Sequence, residues 1–222
     1  MLVQIKNILG DTELQKIQDL LKTAKFRDGH LSAGMAAQQV KNNLEVSDED
    51  ITSVLNNIVM NNVVRHPVYQ QAALPHRIAT PFYARYETGM EYGEHIDDPI
   101  MGQGDRYRSD LAMTIFLNSP DEYKGGELII QTPFGEQTIK YSAGDAVLYP
   151  ATTRHRVVKV TSGERLVAVT WVQSLIRDNE QRELLYQLSK TREKMLRKDP
   201  DSEDTKCIDS TYVNLVRMWS EV

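Results

Sequence analysis

Two histidines and an aspartate are the residues of this chain best suited to hold a metal ion. His95 and Asp97 lie two positions apart in a strand-like run, so an extended backbone would point both side chains to one face of a sheet. His155, in a later strand-like run, would add a second imidazole. Two histidines and one carboxylate form a facial triad that suits non-haem Fe(II) and leaves the opposite positions open for a cosubstrate and O₂. The spacing therefore predicts an iron site built from these three residues.

An arginine follows this set across a predicted turn. Arg165 comes after the run Thr-Ser-Gly-Glu at 161–164 and begins the apolar run 166–171. Its place at the start of an apolar strand predicts burial, and a buried charge is expected to meet an ion of opposite sign. A planar guanidinium binds a carboxylate through two parallel hydrogen bonds. We therefore expect Arg165 to bind the distal end of a dicarboxylate.

Composition bounds the protein class. The 222 residues are 26% charged and 41% hydrophobic, which suits one sizeable core with helical additions. A net charge of −5 without a Lys/Arg-rich tract gives no indication of nucleic-acid binding. Cys207 is the only cysteine, which excludes an internal disulfide and a Cys-based metal site and fits a reducing, cytoplasmic location. The apolar runs are too short for a signal peptide or a membrane span.

The pattern of apolar residues divides the chain into three regions. Residues 1–77 are predicted to be helical, with one helix capped by Asp11, an irregular loop at 27–46, and a helix that starts at 47–50 and ends before Pro67. Residues 177–222 are predicted to be helical again, with Asp178 as a cap. The apolar stripes of this extension are expected to pack on the rest of the chain, with a homodimer through the same region as the alternative.

The central region, 78–176, is rich in predicted strands and turn signals. Eight short strands without intervening helices predict an α+β protein with a double-stranded β-helix (jelly roll) core of about eight strands and with N-terminal and C-terminal helices. In such a fold the second and seventh strands lie side by side, which would bring His155 to His95 and Asp97. The predicted strands are 78–86, 91–97, 110–117, 126–131, 136–141, 145–149, 155–160 and 165–173.

Several segments resemble the Fe(II)- and 2-oxoglutarate-dependent dioxygenases of the prolyl/lysyl-hydroxylase type, and more narrowly the bacterial PKHD-type hydroxylases. The resemblance covers almost the whole chain, including the helical C-terminal extension. The segments that carry it are the approach to the metal at 85–97, the Gly-Gly-Glu-Leu strand start at 125–128, the run into the second histidine at 143–157, the strand 165–174, and the N-terminal pieces 28–29, 33–34 and 40–43.

The resemblance implies a role for each of five residues. His95, Asp97 and His155 would bind Fe(2+), Arg165 would bind the C5 carboxylate of 2-oxoglutarate, and Tyr86 would be a further cosubstrate contact. Asp97 is retained, which argues against the halogenating relatives, where a small residue at that position makes room for halide.

The resemblance also implies the reaction. A substrate, either a small molecule or a protein side chain, would be hydroxylated with O₂ while 2-oxoglutarate is decarboxylated to succinate and CO₂. L-ascorbate would restore oxidised iron. Segments 27–46 and 98–109 are the expected lids over the site. The substrate itself does not follow from the resemblance, because a fold hosts many functions.

Two other protein classes stay open at this level. A cupin-like metal enzyme that does not use 2-oxoglutarate is one, although Arg165 counts against it. A non-catalytic metal- or 2-oxoglutarate-sensing protein is the other, although such a protein would be expected to lose a ligand. The remaining histidines, His30, His66 and His76, are expected to be structural, and Asp98 to point away from the metal.

Overall fold

The structure is a computed structural model that describes residues 1–32, 34, 38–102 and 104–222. In this part of the chain the helices are α1 (Asp11–Thr23), α2 (Glu49–Val63), α3 (Pro67–Ala73), α4 (Asn179–Lys198) and α5 (Glu203–Trp219). The strands are β1 (Val3–Ile5), β2 (Phe26–Asp28), β3 (Lys41–Asn42), β4 (Leu44–Val46), β5 (Pro75–Ile78), β6 (Phe82–Tyr86), β7 (Glu91–His95), β8 (Ile100–Met101), β9 (Tyr107–Arg108), β10 (Leu111–Phe116), β11 (Tyr123–Lys124), β12 (Leu128–Thr132), β13 (Gly135–Ile139), β14 (Ala146–Pro150), β15 (His155–Val157), β16 (Ser162–Gly163) and β17 (Arg165–Ser174). Many antiparallel strands with flanking helices agree with the predicted α+β class.

Two antiparallel sheets carry most of these strands. Within the described residues, the larger has eight strands in the order β1-β14-β10-β17-β6-β4-β2, with β5 pairing the end of β17. The smaller has five strands in the order β13-β12-β15-β7-β3. The pairs β11-β16 and β8-β9 form two short ribbons. In the smaller sheet β15 lies beside β7, so two segments that are distant in sequence become neighbours.

The larger sheet is buried on both faces, which explains its continuous apolar strands. Along β10, Met113 and Ile115 face a core shared with the helices α1, α2 and α3. The alternate residues Ala112 and Phe116 face a second core, which lies between the two sheets. Successive side chains of a strand point to opposite faces, so one run of residues serves both cores. The second core positions the residues of the site described below.

The helix boundaries test the predicted caps. Asp48 accepts a hydrogen bond from the Ile51 amide and begins α2. Asp178 accepts from two amides at the start of α4, as predicted. The prediction for Asp11 was wrong, since α1 starts at Asp11 itself and Gly10 is the N-cap residue.

The predicted loop at 27–46 needs a correction. It contains strands β3 and β4 and the end of β2, and part of it, including Ala33, lies outside the described residues. These strands have two or three residues each, too few for a periodic pattern to show in the sequence. Residues 1–77 thus supply the edges of both sheets as well as helices.

The C-terminal helices agree with the predicted extension. Leu185 of α4 is buried, α4 packs on α3, and α5 packs on α4. Leu184, Val213 and Met218 remain exposed, so the predicted apolar stripes are only partly covered. No helix among the described residues is both long enough and apolar enough to cross a membrane.

Candidate active site

The three predicted metal-binding residues lie together at one end of the space between the sheets. His155 in β15 is directly opposite His95 in β7, and the centroids of their rings are 4.2 Å apart. Asp97 Oδ1 is 3.8 Å from His155 Nε2. Each of the three residues offers a ligand atom, and these atoms lie within 4.8 Å of one another. The argument that His95 and Asp97 share a strand needs correction, because β7 ends at His95 and Asp97 lies just beyond it.

Backbone carbonyls fix the orientation of both imidazole rings. His95 Nδ1 donates to the carbonyl oxygen of Gly93 at 2.8 Å, and His155 Nδ1 donates to that of Thr153 at 3.0 Å. A carbonyl only accepts, so Nδ1 carries the proton and Nε2 is the nitrogen that can bind a metal. Tyr92 stacks on the His95 ring at 3.7 Å between centroids. Both rings are thereby held with a metal-binding nitrogen available.

Burial sets the protonation of these groups. Desolvation, with a smaller contribution from His155, lowers the pKa of His95 to about 4, so its imidazole is neutral at neutral pH. Desolvation raises the pKa of the Asp97 carboxyl, while His155 and the nearby Trp171 indole lower it. Trp171 Nε1 does not reach a full hydrogen bond, and Asp97 Oδ2 is buried without a hydrogen-bond partner among the described residues. Two imidazoles and a carboxylate oxygen without a partner among the described residues are a donor set that fits a divalent cation.

A cavity of about 690 Å³ extends from this cluster and contains Arg165 in its wall. Arg165 is only 1% exposed, and its Nε and Nη1 atoms have no hydrogen-bond partner within the described ranges. The guanidinium carbon lies 5.0 Å from the Tyr86 ring and 5.8 Å from the Phe116 ring. Tyr86 is directly opposite Arg165 on the adjacent strand, and burial raises its pKa to about 12. A buried cation with open donors fits an anionic ligand.

Tyr123 is a residue beside Arg165 that the sequence did not reveal. Its hydroxyl is buried without a hydrogen-bond partner among the described residues, and the nearby Arg165 charge opposes the rise in its pKa that burial causes. Gly126 has φ +69°, and a Cβ there would lie 3.0 Å from the Tyr123 ring and 3.1 Å from Arg165 Cδ. Gly126, the second glycine of the motif at 125–126, therefore lets the backbone approach both side chains closely.

A buried ion pair in the cavity wall was also missed. Lys41 and Glu45 are each 3% exposed, and Nζ lies 2.5 Å from Oε1. Lys41 also lies 5.2 Å from the centroid of Phe82 and 5.5 Å from that of Tyr92. The motif at 40–43 contained Lys41, but nothing in the sequence indicated its burial.

The other titratable residues considered in the sequence lie apart from the metal cluster. His30 pairs with Asp28, and His66 Nε2 lies 3.2 Å from the carbonyl oxygen of Lys6. His76 is exposed in β5. Asp98 is exposed and lines the cavity without belonging to the cluster of potential metal-binding residues.

Comparison with solved structures shows the fold. A 2OG-Fe(II) oxygenase family oxidoreductase from Burkholderia pseudomallei matches with a TM-score of 0.58 at 15% identity, covering 80% of this chain and 85% of that one. A Pseudomonas putida prolyl-4-hydroxylase matches with a TM-score of 0.56 at 14% identity, covering 78% and 92%.

Sequence comparisons are more specific. The 2OG-Fe(II) oxygenase superfamily profile matches residues 81–173, and that of the PKHD-type hydroxylase C-terminal domain matches 179–221. PKHD-type hydroxylases of Thioalkalivibrio sulfidiphilus and Acaryochloris marina are 46% and 42% identical to the chain, each over the full length of both proteins. The chain therefore belongs to the PKHD-type hydroxylases, which are 2-oxoglutarate-dependent, iron-using dioxygenases of the 2OG-Fe(II) oxygenase superfamily.

Proposed function

We propose that His95, Asp97 and His155 hold the Fe(II) of this hydroxylase and that Arg165 binds the distal carboxylate of 2-oxoglutarate. One observation carries the assignment: a buried carboxylate oxygen and a buried guanidinium, both with open hydrogen-bonding capacity, face the same cavity. A metal and a dicarboxylate would satisfy both. The residues that would bind a cation and the arginine that would bind an anion line the same cavity, so one dicarboxylate could chelate the metal at one end and meet Arg165 at the other.

Iron bound at this site would supply the activation of O₂ that couples 2-oxoglutarate decarboxylation to hydroxylation. The chain's own part is to bind and orient. Arg165 would fix the far carboxylate through its planar donors. Tyr86 and Phe116 exclude water around that guanidinium, which strengthens its attraction for an anion, and Tyr86 is a further cosubstrate contact in this proposal.

The same proposal covers the domain organisation. Residues 78–176 would form the double-stranded β-helix (jelly roll) of the dioxygenase, with 1–77 and 177–222 as N-terminal and C-terminal helical regions packed on it. Two facing antiparallel sheets and the superfamily match over 81–173 support this division.

We propose several further features of this hydroxylase. L-ascorbate would act as reductant, the protein would be cytoplasmic, and a homodimer through the C-terminal helices stays an alternative to a monomer. Segments 27–46 and 98–109 would act as lids, which the lining residues Arg27, Lys41, Ile100 and Met101 support. The substrate would be a small molecule or a protein side chain.

Turnover of 2-oxoglutarate tests the proposal directly. Purified protein with Fe(II) should form succinate slowly without a substrate, and both His155→Ala and Arg165→Ala should suppress this reaction. His76→Ala, an exposed histidine outside the cavity, is the control and should retain it. Metal binding without succinate formation would instead favour the cupin-like alternative.

A further inference from the structure

Two of the exposed arginines that have no partner among the described residues line the active-site cavity. Among the described residues, four exposed arginines have a guanidinium with neither an ion pair nor a hydrogen bond, namely Arg27, Arg65, Arg106 and Arg177. Two of them, Arg27 and Arg106, line the same cavity as the metal cluster. Arg65 and Arg177 lie elsewhere.

The cavity keeps a cationic excess after the proposed cofactor and cosubstrate are counted. Its lining cations are Arg27, Lys41, Arg106 and Arg165, and its lining carboxylates are Glu45, Asp97 and Asp98. Asp97 is assigned to the metal and Arg165 to the cosubstrate. Three cations then face two carboxylates, in a chain whose net charge is −5. A cleft with such a local excess attracts anions.

Arg27 is placed beside the buried ion pair. It lies directly opposite Glu45 in the pairing of β2 with β4, so the two side chains share one face of the sheet. Glu45 is already bonded to Lys41. Glu45 therefore has a cationic side chain on each side, Lys41 and Arg27. Of these three residues, only Arg27 is exposed.

The backbone around Arg106, the second unpaired arginine of the cavity, is anchored by hydrogen bonds. Its carbonyl oxygen accepts a hydrogen bond from Arg77 Nη1 at 3.2 Å, and the neighbouring Asp105 pairs with Arg77 Nη2 at 2.8 Å. These bonds hold the backbone and leave the Arg106 side chain at the cavity mouth. Ile96 and Ile100, which are 48% and 53% exposed, add apolar surface to the same lining.

We propose that the hydroxylated substrate is an organic acid whose carboxylates bind Arg27 and Arg106 and whose aliphatic part lies on Ile96 and Ile100. This inference rests on the proposed function, since it assigns a substrate class to the same cavity. The site would recognise a carboxylate attached to an aliphatic group, which both a free acid and an acidic peptide contain. We favour the free acid, because a cavity of about 690 Å³ has the size of a small-molecule site.

Calorimetric titration with matched probes tests the proposal without a known substrate. The protein is saturated with Mn(II) and 2-oxoglutarate, and adipate or its neutral analogue adipamide is added. We expect adipate to bind roughly 5- to 30-fold tighter than adipamide, with the preference falling as salt increases. Enhanced proton relaxation of bound adipate by Mn(II) should show that it lies near the metal. A blocked Glu-Glu dipeptide and its Gln-Gln counterpart show whether a peptide carboxylate is preferred over a free one.

Two double variants, each of which removes two positive charges, test whether Arg27 and Arg106 bind the carboxylates. Arg27→Gln/Arg106→Gln should abolish the preference for adipate, whereas Arg65→Gln/Arg177→Gln should retain it. Equal binding of the two probes, absence of binding by both, or a preference that survives in Arg27→Gln/Arg106→Gln would overturn the proposal. Displacement of 2-oxoglutarate by adipate would also overturn it, since the preference would then belong to Arg165.

Failure of the proposed function has a different signature. Wild-type protein that does not bind 2-oxoglutarate in the first stage of the titration contradicts the assignment of Arg165. In that protein the two double variants still decide the substrate class, because a preference for adipate that depends on Arg165 would survive in Arg27→Gln/Arg106→Gln and one that depends on Arg27 and Arg106 would not.

Discussion

Lys41 and Glu45 join the two sheets through a buried ion pair in the wall of the active-site cavity. Lys41 belongs to β3 of the smaller sheet and Glu45 to β4 of the larger one. Their charged atoms are 2.5 Å apart. The chain crosses from the smaller sheet to the larger one between these two residues. The ion pair therefore connects β3 and β4 beside the cavity.

Removing one member of this pair should destabilise the protein. Loss of one partner of a buried ion pair typically costs about 3–5 kcal/mol, since the other charge remains in a poorly solvated place. We expect Lys41→Met and Glu45→Leu each to lower the free energy of unfolding in urea by this order. The double variant should recover much of the loss, because Phe82 and Tyr92 offer apolar neighbours to the methionine side chain introduced in place of Lys41. Strictly additive effects would show that the two charges do not interact.

The metal assignment predicts the loss of iron binding in three variants. His95→Ala, Asp97→Ala and His155→Ala each remove one ligand of the proposed triad, so anaerobic titration should no longer show one Fe(II) bound per chain. Metal at about 100 times its dissociation constant should stabilise the wild type by roughly 2.7 kcal/mol, a shift that the variants should lack. His66→Ala and His76→Ala should bind metal normally. Normal iron binding by the three ligand variants would exclude the triad.

Arg165 should control the affinity for 2-oxoglutarate. Truncating one partner of a buried charge pair costs ~2–5 kcal/mol, or roughly 30- to 4,000-fold in affinity. Arg165→Ala should therefore raise the 2-oxoglutarate concentration needed for half-saturation by this order while iron binding changes little. Arg165→Lys should rescue only part of the loss, because an ammonium cannot form the bidentate contact. An unchanged requirement in Arg165→Ala would mean that another basic residue binds the carboxylate.

Gly126 should matter through its contact with Arg165 and Tyr123. A Cβ at this position would lie 3.1 Å from Arg165 Cδ and 3.0 Å from the Tyr123 ring, at a positive φ that disfavours non-glycine residues. Gly126→Ala should lose stability and also weaken 2-oxoglutarate binding. Gly89→Ala is the matched control, since Gly89 has φ +93° and a Cβ there would meet nothing within 4 Å. It should lose stability through backbone strain alone, so equal 2-oxoglutarate affinities in the two variants would contradict the prediction.

The C-terminal helices should be needed for the fold. A chain that ends at Ser174 keeps all of β17 and the proposed site residues but loses the buried side chains of Ile176 and Leu185. Each contributes about 1.5–3 kcal/mol by burial, and the surfaces they cover would become exposed. We expect the shortened chain to be insoluble or to melt at a clearly lower temperature. A soluble, fully active truncation with an unchanged melting temperature would show that the extension is dispensable, and light scattering of the full chain would separate monomer from dimer.

The sequence by itself determined the features that depend on local pattern. The order of His95, Asp97, His155 and Arg165 with their flanking segments indicated the family, and the sequence comparisons confirm it. Asp178 was recognisable as a helix cap and residues 47–50 as a helix start, because a cap acts on amides two or three residues away. The roles of the site residues in binding iron and 2-oxoglutarate stay predictions.

Only the tertiary structure decided which distant residues meet. It placed the Tyr123 hydroxyl near Arg165 and buried Lys41 against Glu45, and neither contact was expected from the sequence. Short edge strands such as β3 have no periodicity to detect, so nothing in the sequence indicated the burial of Lys41, whereas the apolar run that follows Arg165 did predict the burial of that arginine. Whether a side chain is buried and whether its polar atoms have partners depend on packing between segments far apart in the chain. These properties indicate where an iron ion and a cosubstrate would bind, and the exposed unpaired arginines of the cavity indicate where an acidic substrate would bind.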